Sequence, residues 1–356
     1  MNWRCQSIEK ITVGNQKLGT TYVVLRTHAR IANLLDNEKT RELAESEDIH
    51  DFLRKLRETP YGEITIEEDE LIAINLERIF TQKFIERIES IVKITPTKMG
   101  EFLRAYFDLR FEVLNLKRIL RGKFTESTNE QIRQSLIPID PFFVEDYEKY
   151  MESESFEETV KKLQGTPYQS LIEKIPDYEE NDELWPFELE LNYIYAREIL
   201  KLVEKLPSKN RYIVNSLVKF ETDIENVLVA IKRRGKPESN LEEIFPVTYR
   251  LSLEDLEGII KTEDLSEAID NLNEPYKSVL EPIKTGDIAL TRAMLRKGKY
   301  ETVSTARAGD EYGFNVILAF LVYSEIEKDN LVGLAWGKVQ GLESEELLKY
   351  IVIPWD

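Results

Sequence analysis

The sequence is poor in the side chains that bind metals or form disulfides. Its 356 residues include one cysteine, Cys5, and two histidines. A single cysteine excludes an intrachain disulfide and favours a reducing compartment. Glu47 and His50 have the spacing of half a di-iron site, but Leu25 stands where a second pair, ending at His28, would need its glutamate. The sequence also has too few cysteine and histidine ligands for a zinc site. We expect no metal or other cofactor.

Basic charge and long apolar runs are also scarce. The chain has 66 acids against 48 lysines and arginines, a net charge of −18. This balance argues against nucleic acid as a partner and against a direct lipid anchor on anionic headgroups. The longest apolar run, 316–323, is too short to cross a bilayer, and the first 14 residues lack the apolar core of a signal peptide. We expect a soluble or peripheral protein.

Motifs for phosphate, dinucleotide and acyl chemistry are missing. The sequence has no Walker A loop, no Gly-x-Gly-x-x-Gly and no Gly-x-Ser-x-Gly elbow. Carboxylate pairs arise by chance among 66 acids and do not indicate a glycosidase. We predict no catalytic residue and no small-molecule substrate. An enzyme of the di-metal bundle type stays an alternative, which measurement of bound metal would settle.

The sequence does contain a pattern that occurs three times, with a period of about 107 residues. A hydroxyl residue followed by an acid precedes each Pro-Tyr pair by 13 or 14 residues. We expect the hydroxyl to cap a short helix and the proline to end it. A repeat of this length is a whole helical subdomain. The hydroxyl residues are Ser46, Ser153 and Thr262, and the prolines are Pro60, Pro167 and Pro275.

A longer helix in each copy carries an acid and an asparagine one turn apart. These pairs are Glu112 and Asn115, Asp223 and Asn226, and Glu327 and Asn330. Apolar residues spaced 3-4-3-4 beside them predict a buried stripe, which Ser324 and Lys328 interrupt in the third copy. Two interpretations of the pairs stay open: a structural polar network, or a contact ring repeated about a pseudo-threefold axis.

Glycine and basic residues mark the ends of these longer helices. We expect left-handed caps at Gly122, Gly235 and Gly337. Cations at these ends complement the helix dipole; alternatively, they form an electropositive rim that binds an acidic partner. In the second case, reversing Arg121, Arg234 and Lys338 to Glu would weaken assembly and leave helicity intact. The full basic cluster is Arg118, Arg121, Lys123, Lys232, Arg233, Arg234, Lys236 and Lys338.

Composition and spacing together predict an all-α protein. Glycine and proline are sparse, at 15 and 13 residues, and no alternating strand pattern occurs. Longer helices are expected at 71–94 and 185–206. Prolines that close the first two copies place the domain boundaries, giving helical repeats over 1–138, 139–246 and 247–356. Since no Ser/Gly-rich linker separates them, we expect the repeats to pack closely.

In combination, these motifs resemble the C subunit of archaeal A-type ATP synthases, the equivalent of the d subunit of V-type ATPases. The resemblance covers essentially the whole chain. It is carried by segment 46–61, by helix 106–123 with its Asn-Leu-Lys core, by residues 223–226 and by the ending 327–354. The chain departs from strict symmetry in its third stripe and in two extra residues before Gly235.

The resemblance implies three similar helical subdomains arranged as a funnel. It also implies a non-catalytic central-stalk subunit at the cytoplasmic face of the membrane. Its partners would be the proteolipid subunits of the membrane rotor ring and the central shaft, whose foot the open end of the funnel receives. The alternative is a free-standing helical-repeat scaffold or adaptor, although units of about 107 residues are large for a solenoid.

Overall fold

The structure, a computed structural model, describes residues 19–62, 64, 72–181, 183–235 and 240–354. All regular structure in these ranges is helical, so the all-α prediction is confirmed. Two short 3₁₀ segments, Gln169–Lys174 and Glu281–Thr285, accompany the α-helices. The α-helices are α1 (Thr20–Ile31), α2 (Asn37–Ala44), α3 (Ile49–Leu56), α4 (Ile72–Val92), α5 (Thr97–Phe124), α6 (Asn129–Ser135), α7 (Glu148–Met151), α8 (Phe156–Lys161), α9 (Ile175–Asn181), α10 (Trp185–Val203), α11 (Ser208–Lys232), α12 (Leu241–Ile244), α13 (Leu253–Lys261), α14 (Leu265–Asp270), α15 (Tyr276–Leu280), α16 (Ile288–Gly309), α17 (Phe314–Val339) and α18 (Ser344–Tyr350).

Six long helices form three hairpins: α4–α5, α10–α11 and α16–α17. Pro96 and Pro207 stand directly before α5 and α11. Because the residue before a proline disfavours the helical conformation, α4 and α10 end a few residues earlier. The predicted long helices at 71–94 and 185–206 are thus present with slightly shorter bounds. In the described ranges, no helix combines the length and apolarity needed to span a bilayer.

The three hairpins pack in a closed cycle. Helix α5 packs on α10, α11 packs on α16, and α17 packs back on α4. Neighbouring helices from different hairpins run in opposite directions. The Tyr195 hydroxyl donates to the Tyr106 carbonyl, and Arg121 pairs with Glu188. Helices α5 and α10 are therefore antiparallel. Each hairpin therefore has a neighbour on both sides.

The main hydrophobic core runs through all three hairpins, and α17 is buried along most of its length. The two residues that interrupt the predicted stripe both lie on α17. Ser324 is fully buried and donates to the Phe320 carbonyl at 2.8 Å, which satisfies its hydroxyl within the helix. Lys328 lies 6.0 Å from the centre of the Phe84 ring and pairs with Asp329. The third copy therefore keeps its helix without keeping the stripe.

Two of the three predicted glycine caps are wrong. Gly122 and Gly337 lie inside α5 and α17, where a Cβ atom would clash with Ile132 and Leu347 of the following short helices. Glycine is needed there because a second helix approaches closely. The left-handed residues beyond these helices are Glu126 (φ 53°) and Gly341 (φ 71°). In the second copy Gly235 is left-handed (φ 74°), as predicted.

The predicted N-caps are also wrong, in each copy by two residues. Asp48, Ser155 and Asp264 cap α3, α8 and α14 with their side chains. The Asp48 carboxylate, for example, accepts from the Asp51 N–H at 2.8 Å. The predicted hydroxyl residues instead lie in the turn before each helix. Their backbone carbonyls accept a hydrogen bond from a lysine or arginine side chain, as described below. The prolines follow these helices by several residues and do not end them directly.

Candidate functional site

A buried carboxylate binds the following repeat in the first copy. Glu112 is fully buried and accepts from the N–H groups of Phe142, Phe143 and Val144 at 2.5–3.2 Å. It also accepts from the Tyr168 hydroxyl at 2.6 Å. Burial raises the pKa of Glu112, although the phenol and the amides counteract it. Tyr168 belongs to a Pro-Tyr pair of the next repeat, so this bond crosses the boundary predicted at 138/139, which stays a prediction.

The second copy repeats the arrangement with an aspartate. Asp223, also fully buried, accepts from the N–H groups of Tyr249 and Arg250 at 3.0 and 2.9 Å. The Tyr276 hydroxyl of the third Pro-Tyr pair donates to it at 2.7 Å. Burial, followed by the contact with Asp223, raises the pKa of Tyr276, so the phenol stays protonated and remains a donor. The same pair of residue types thus links repeats two and three.

In the third copy, the same bond closes the cycle. Glu327 accepts from the hydroxyl of Tyr61, in the first Pro-Tyr pair, at 2.7 Å. Leu35 donates its N–H at 2.5 Å across a separation of 292 residues, and Arg87 donates at 2.7 Å. Burial would lower the pKa of Arg87, but the Glu327 carboxylate raises it. The Arg87 guanidinium is thus an additional donor to Glu327. This junction joins the first and the third copy, which are far apart in the chain.

The asparagines hold the segment that follows each long helix. Asn115 donates to and accepts from the Ile137 backbone, at 2.9 and 2.8 Å. All three asparagines are buried. The acid–amide pairs are therefore members of a buried hydrogen-bond network, and their side chains are not accessible to a partner. In each copy the asparagine amide donates to a carbonyl 21 or 22 residues later: Ile137, Val247 and Val352.

Three residues of the basic cluster make a second equivalent contact between repeats. Lys123 donates to the Ser153 carbonyl at 2.8 Å. Burial lowers the pKa of Lys123 and of Lys338. The acceptors are the backbone carbonyls of the hydroxyl residues that were wrongly predicted as N-caps. The third contact again joins the third repeat to the first. The full set is Lys123 to Ser153, Arg234 to Thr262, and Lys338 to Ser46.

A buried ion cluster joins the three long helices α5, α11 and α17 near their middles. Arg110 lies 2.7 Å from Glu221 and 3.0 Å from Glu325. Lys299 of α16 lies 2.6 and 3.2 Å from the same two carboxylates. Arg110, Glu221 and Glu325 each stand five residues before the asparagine of their copy, so equivalent positions of all three repeats meet at one point. This cluster was not predicted from the sequence, because its members lie beside the apolar stripe and not in it.

All four charges of the cluster are retained despite burial. Burial alone would raise the pKa of Glu325, but Arg110 and Lys299 lower it to about 2. The pKa of Glu221 is lowered by the same two cations against the same effect of burial. Burial lowers and the two carboxylates raise the pKa of Arg110, with a net increase. Two cations face two carboxylates, so the cluster is neutral and internally compensated.

Comparison with known proteins agrees with the resemblance found in the sequence. The family model of the ATP synthase (C/AC39) subunit matches residues 23–350. The chain belongs to this family. The A-type ATP synthase C subunit of Methanocaldococcus jannaschii is 27% identical over 353 residues, covering 93% of this chain and 86% of the relative. The Archaeoglobus fulgidus protein of the same name is 27% identical over 360 residues, covering 97% and 99%. The Pyrococcus horikoshii protein is 24% identical over 325 residues, covering 88% and 85%.

In this C/AC39 family member, most of the remaining basic cluster also bonds within the chain. Arg118 donates to the Ser135 carbonyl, and Arg121 pairs with Glu188. The Arg233 guanidinium lies 4.4 Å from the centre of the Trp185 ring. Lys232 is exposed, and Lys236 lies outside the described residues. These contacts lie within the chain, and they leave both the dipole interpretation and partner binding by the cluster as predictions.

The part of this family member that the structure describes contains no group of three or more His, Cys, Asp or Glu side chains placed to hold a metal ion. His28 has its Nε2 atom 2.9 Å from the Glu311 carbonyl oxygen. That contact ties α1 to the turn before α17. Cys5 lies outside the described residues.

Proposed function

We propose that this chain is a non-catalytic central-stalk subunit of a rotary A-type or V-type ATPase. In this proposal it is a peripheral protein at the cytoplasmic face of the membrane, and it couples the membrane rotor ring to the central shaft. The repeats over 1–138, 139–246 and 247–356 form a funnel whose open end holds the shaft. Membership of the ATP synthase (C/AC39) family supports this proposal.

The observation that carries the proposal is the third carboxylate–tyrosine bond, from Tyr61 to Glu327. A coupler must hold its two partners in fixed relation while torque passes through it. In a closed cycle every repeat is held on both sides, so a twisting load is shared among three equivalent junctions. Terminal repeats of an open scaffold need polar outer faces. Here the third repeat bonds to the first, which argues against the scaffold or adaptor alternative.

The interior also suits a stiff coupler. The main core is continuous through the three hairpins, and close-packed interiors compress little and transmit strain. The cluster around Arg110 adds directional bonds where the three central helices meet. A load applied to one long helix would therefore reach the other two directly.

Within the basic cluster, we assign partner binding to the exposed members Arg121 and Lys232. Arg234 and Lys338 hold carbonyls of the neighbouring repeat, so reversing their charge would disturb the fold as well as assembly. Lys232→Glu is therefore the informative variant, because this side chain is exposed on the last turn of α11. We expect it to weaken assembly without a change in circular dichroism.

Affinity isolation from native membranes tests the proposal. The tagged chain is expressed in its source cells, membranes are solubilised in mild detergent, and co-isolated proteins are identified by mass spectrometry. We expect proteins of the membrane ring and of the shaft together, and no ATP hydrolysis by the purified chain alone. An unrelated tagged cytoplasmic protein is the control. Recovery of neither partner, with the tagged chain folded, would overturn the proposal.

A further inference from the structure

A cleft lies between two helices that share one neighbour. Helices α1 and α4 both pack on α17. The space between them is a cavity of about 300 Å³, and its lining includes Phe320 of α17 and the turn at Pro60 and Tyr61. This volume is near the lower limit for small-ligand pockets, so it suits a ligand of few atoms. We call this space the α1–α4 cleft.

Three cations line the α1–α4 cleft: Arg30 at the end of α1, and Lys83 and Arg87 on α4. Two acids lie beside them. The Glu86 carboxylate is 3.6 Å from the Lys83 ammonium, and Glu327 accepts from Arg87 at 2.7 Å. The cleft is therefore net positive in a chain of charge −18. Because a cleft concentrates the field of the charges that line it, this site attracts small anions.

Arg30 is the cleft cation that has no carboxylate partner among the described residues. Its Nη1 atom is shielded from solvent and makes no hydrogen bond within those residues. Burial, followed by Arg26, lowers the pKa of Arg30, and the weaker opposing effect comes from Tyr22 and not from a carboxylate. Arg30 also complements the dipole at the last turn of α1, but this leaves Nη1 unbonded. The side chain is half-buried, so a small rotation would let a bound anion satisfy this nitrogen.

The other two cations keep donors for a ligand. Arg87 is held in place, since it donates to Glu327 and its guanidinium lies 5.4 Å from the centre of the Tyr61 ring. A guanidinium has five N–H donors, so this bond leaves others for the cleft. Lys83 is half-buried, and its distance of 3.6 Å from Glu86 is longer than a hydrogen bond.

The second repeat lacks these cations at the equivalent positions. Lys83 and Arg87 stand 13 and 9 residues before the proline that precedes α5. At the same distances before the proline that precedes α11, the second repeat has Ile194 and Glu198. The repeat architecture therefore does not require a cation at either position, and the basic cleft is a feature of the first repeat.

We propose that the α1–α4 cleft binds a phosphate group, held by Arg30, Lys83 and Arg87. One guanidinium can satisfy both oxygens of a carboxylate, whereas a phosphate presents more oxygens to donors on several sides. Three cations from two helices therefore match a phosphate better. The proposal goes beyond the proposed function and does not depend on it. Since Arg87 also bonds to Glu327, a bound phosphate would stabilise the contact between the third repeat and the first.

Titration of the purified full-length chain with inorganic phosphate tests the proposal. We expect one saturable site per chain by isothermal titration calorimetry in a phosphate-free buffer of low ionic strength. Arg30→Gln and Lys83→Gln should each weaken binding at least roughly tenfold, because each removes a charged hydrogen-bond donor. The matched control is Lys93→Gln, an exposed residue of α4 outside the cleft, which should bind like the parent.

Absence of saturable binding would overturn the proposal. Binding by Lys83→Gln as tight as that of the parent would also overturn it. Circular dichroism checks the fold of each variant. If Arg30→Gln does not fold, Lys83→Gln still decides, because its side chain is partly exposed and lies outside the bond between Arg87 and Glu327.

Two further titrations identify the source of the phosphate. Glycerol phosphate is a soluble monoester, and phosphatidylcholine vesicles with or without phosphatidic acid present the same group on a lipid surface. Tighter binding of the soluble phosphates would assign a small-molecule ligand. Sedimentation with phosphatidic acid vesicles that Lys83→Gln loses and Lys93→Gln retains would assign a lipid headgroup. Vesicle binding that both variants retain would exclude the headgroup as the ligand of the cleft.

Hydrogen exchange provides a second readout. The Leu35 N–H donates to Glu327 at 2.5 Å, so its exchange reports on the contact between the third repeat and the first. We expect phosphate to slow the exchange of this amide and to leave 142–144, at the first carboxylate, unchanged. Faster exchange at Leu35 would show that phosphate displaces Glu327 from Arg87, which would contradict the proposed binding mode.

Discussion

Methionine in place of Arg110 would leave Glu221 and Glu325 opposite each other, with Lys299 as their remaining partner in the cluster. Removing one partner from a buried ion pair costs about 3–5 kcal/mol, because the other charge stays buried and uncompensated. The electrostatics agree in direction, since Arg110 and Lys299 together lower the pKa of Glu325 to about 2 against the effect of burial.

Thermal unfolding followed by circular dichroism measures this loss. For 356 residues, the average entropy of unfolding makes 3–5 kcal/mol equal to roughly 4–7 °C. The matched control is Arg104→Met on the same helix, whose side chain is 43% exposed and lies 3.9 Å from Asp108. It should cost less than about 1 kcal/mol. Adding Glu325→Gln to Arg110→Met should restore part of the loss. If Arg110→Met and Arg104→Met lower the melting temperature equally, the buried ion cluster does not stabilise the packing of the three helices.

Three further predictions concern other buried contacts. Below pH 4.5 the stabilisation from Glu325 should fade as the pH drops through about 2, since its folded-state pKa is lowered; urea denaturation of Glu325→Gln should lack this slope. Gly122→Ala should destabilise by about 1–3 kcal/mol, whereas Gly258→Ala, which meets open space in α13, should stabilise by about 0.5 kcal/mol in thermal unfolding. Tyr168→Phe should cost about 1–3 kcal/mol because Glu112 loses a buried donor, and hydrogen exchange should accelerate at 142–144.

The repeat was visible in the sequence because each recurring asparagine and tyrosine makes the same hydrogen bond in every copy. Asn115 must satisfy the Ile137 backbone, and its two equivalents do the same at nearly the same spacing. The Pro-Tyr tyrosines recur for a similar reason, since each is a buried donor to a carboxylate. The repeat period thus identifies which residues are equivalent in the three copies. Together with the composition, it also allowed the all-α class and the family to be predicted.

The partners of these residues were not predictable from the period. Equivalence does not say whether Tyr168 bonds within its own repeat or to Glu112 of the preceding one. That choice depends on how the hairpins pack, which involves contacts far apart in the chain. The bond between Tyr61 and Glu327 is the extreme case, because it joins residues 266 positions apart.

The wrong assignments have a common physical cause. A glycine near a helix end is as suitable for close packing as for a left-handed cap, and only the position of Ile132 decides between them at Gly122. A serine before a helix competes in the same way with a nearby aspartate, as Ser46 does with Asp48. In both cases two structural roles or two nearby residues fit the same local signal, so the signal alone did not decide between them.

Rotation of the chain itself tests the rotor assignment most directly. The intact complex is immobilised through its catalytic head, and a bead is attached to a cysteine introduced at the exposed Glu173, in a Cys5→Ser background. On addition of ATP, we predict continuous rotation of the bead in one direction, at a rate set by ATP hydrolysis. A bead that stays fixed while the complex hydrolyses ATP would place the chain in the stationary part and contradict the account.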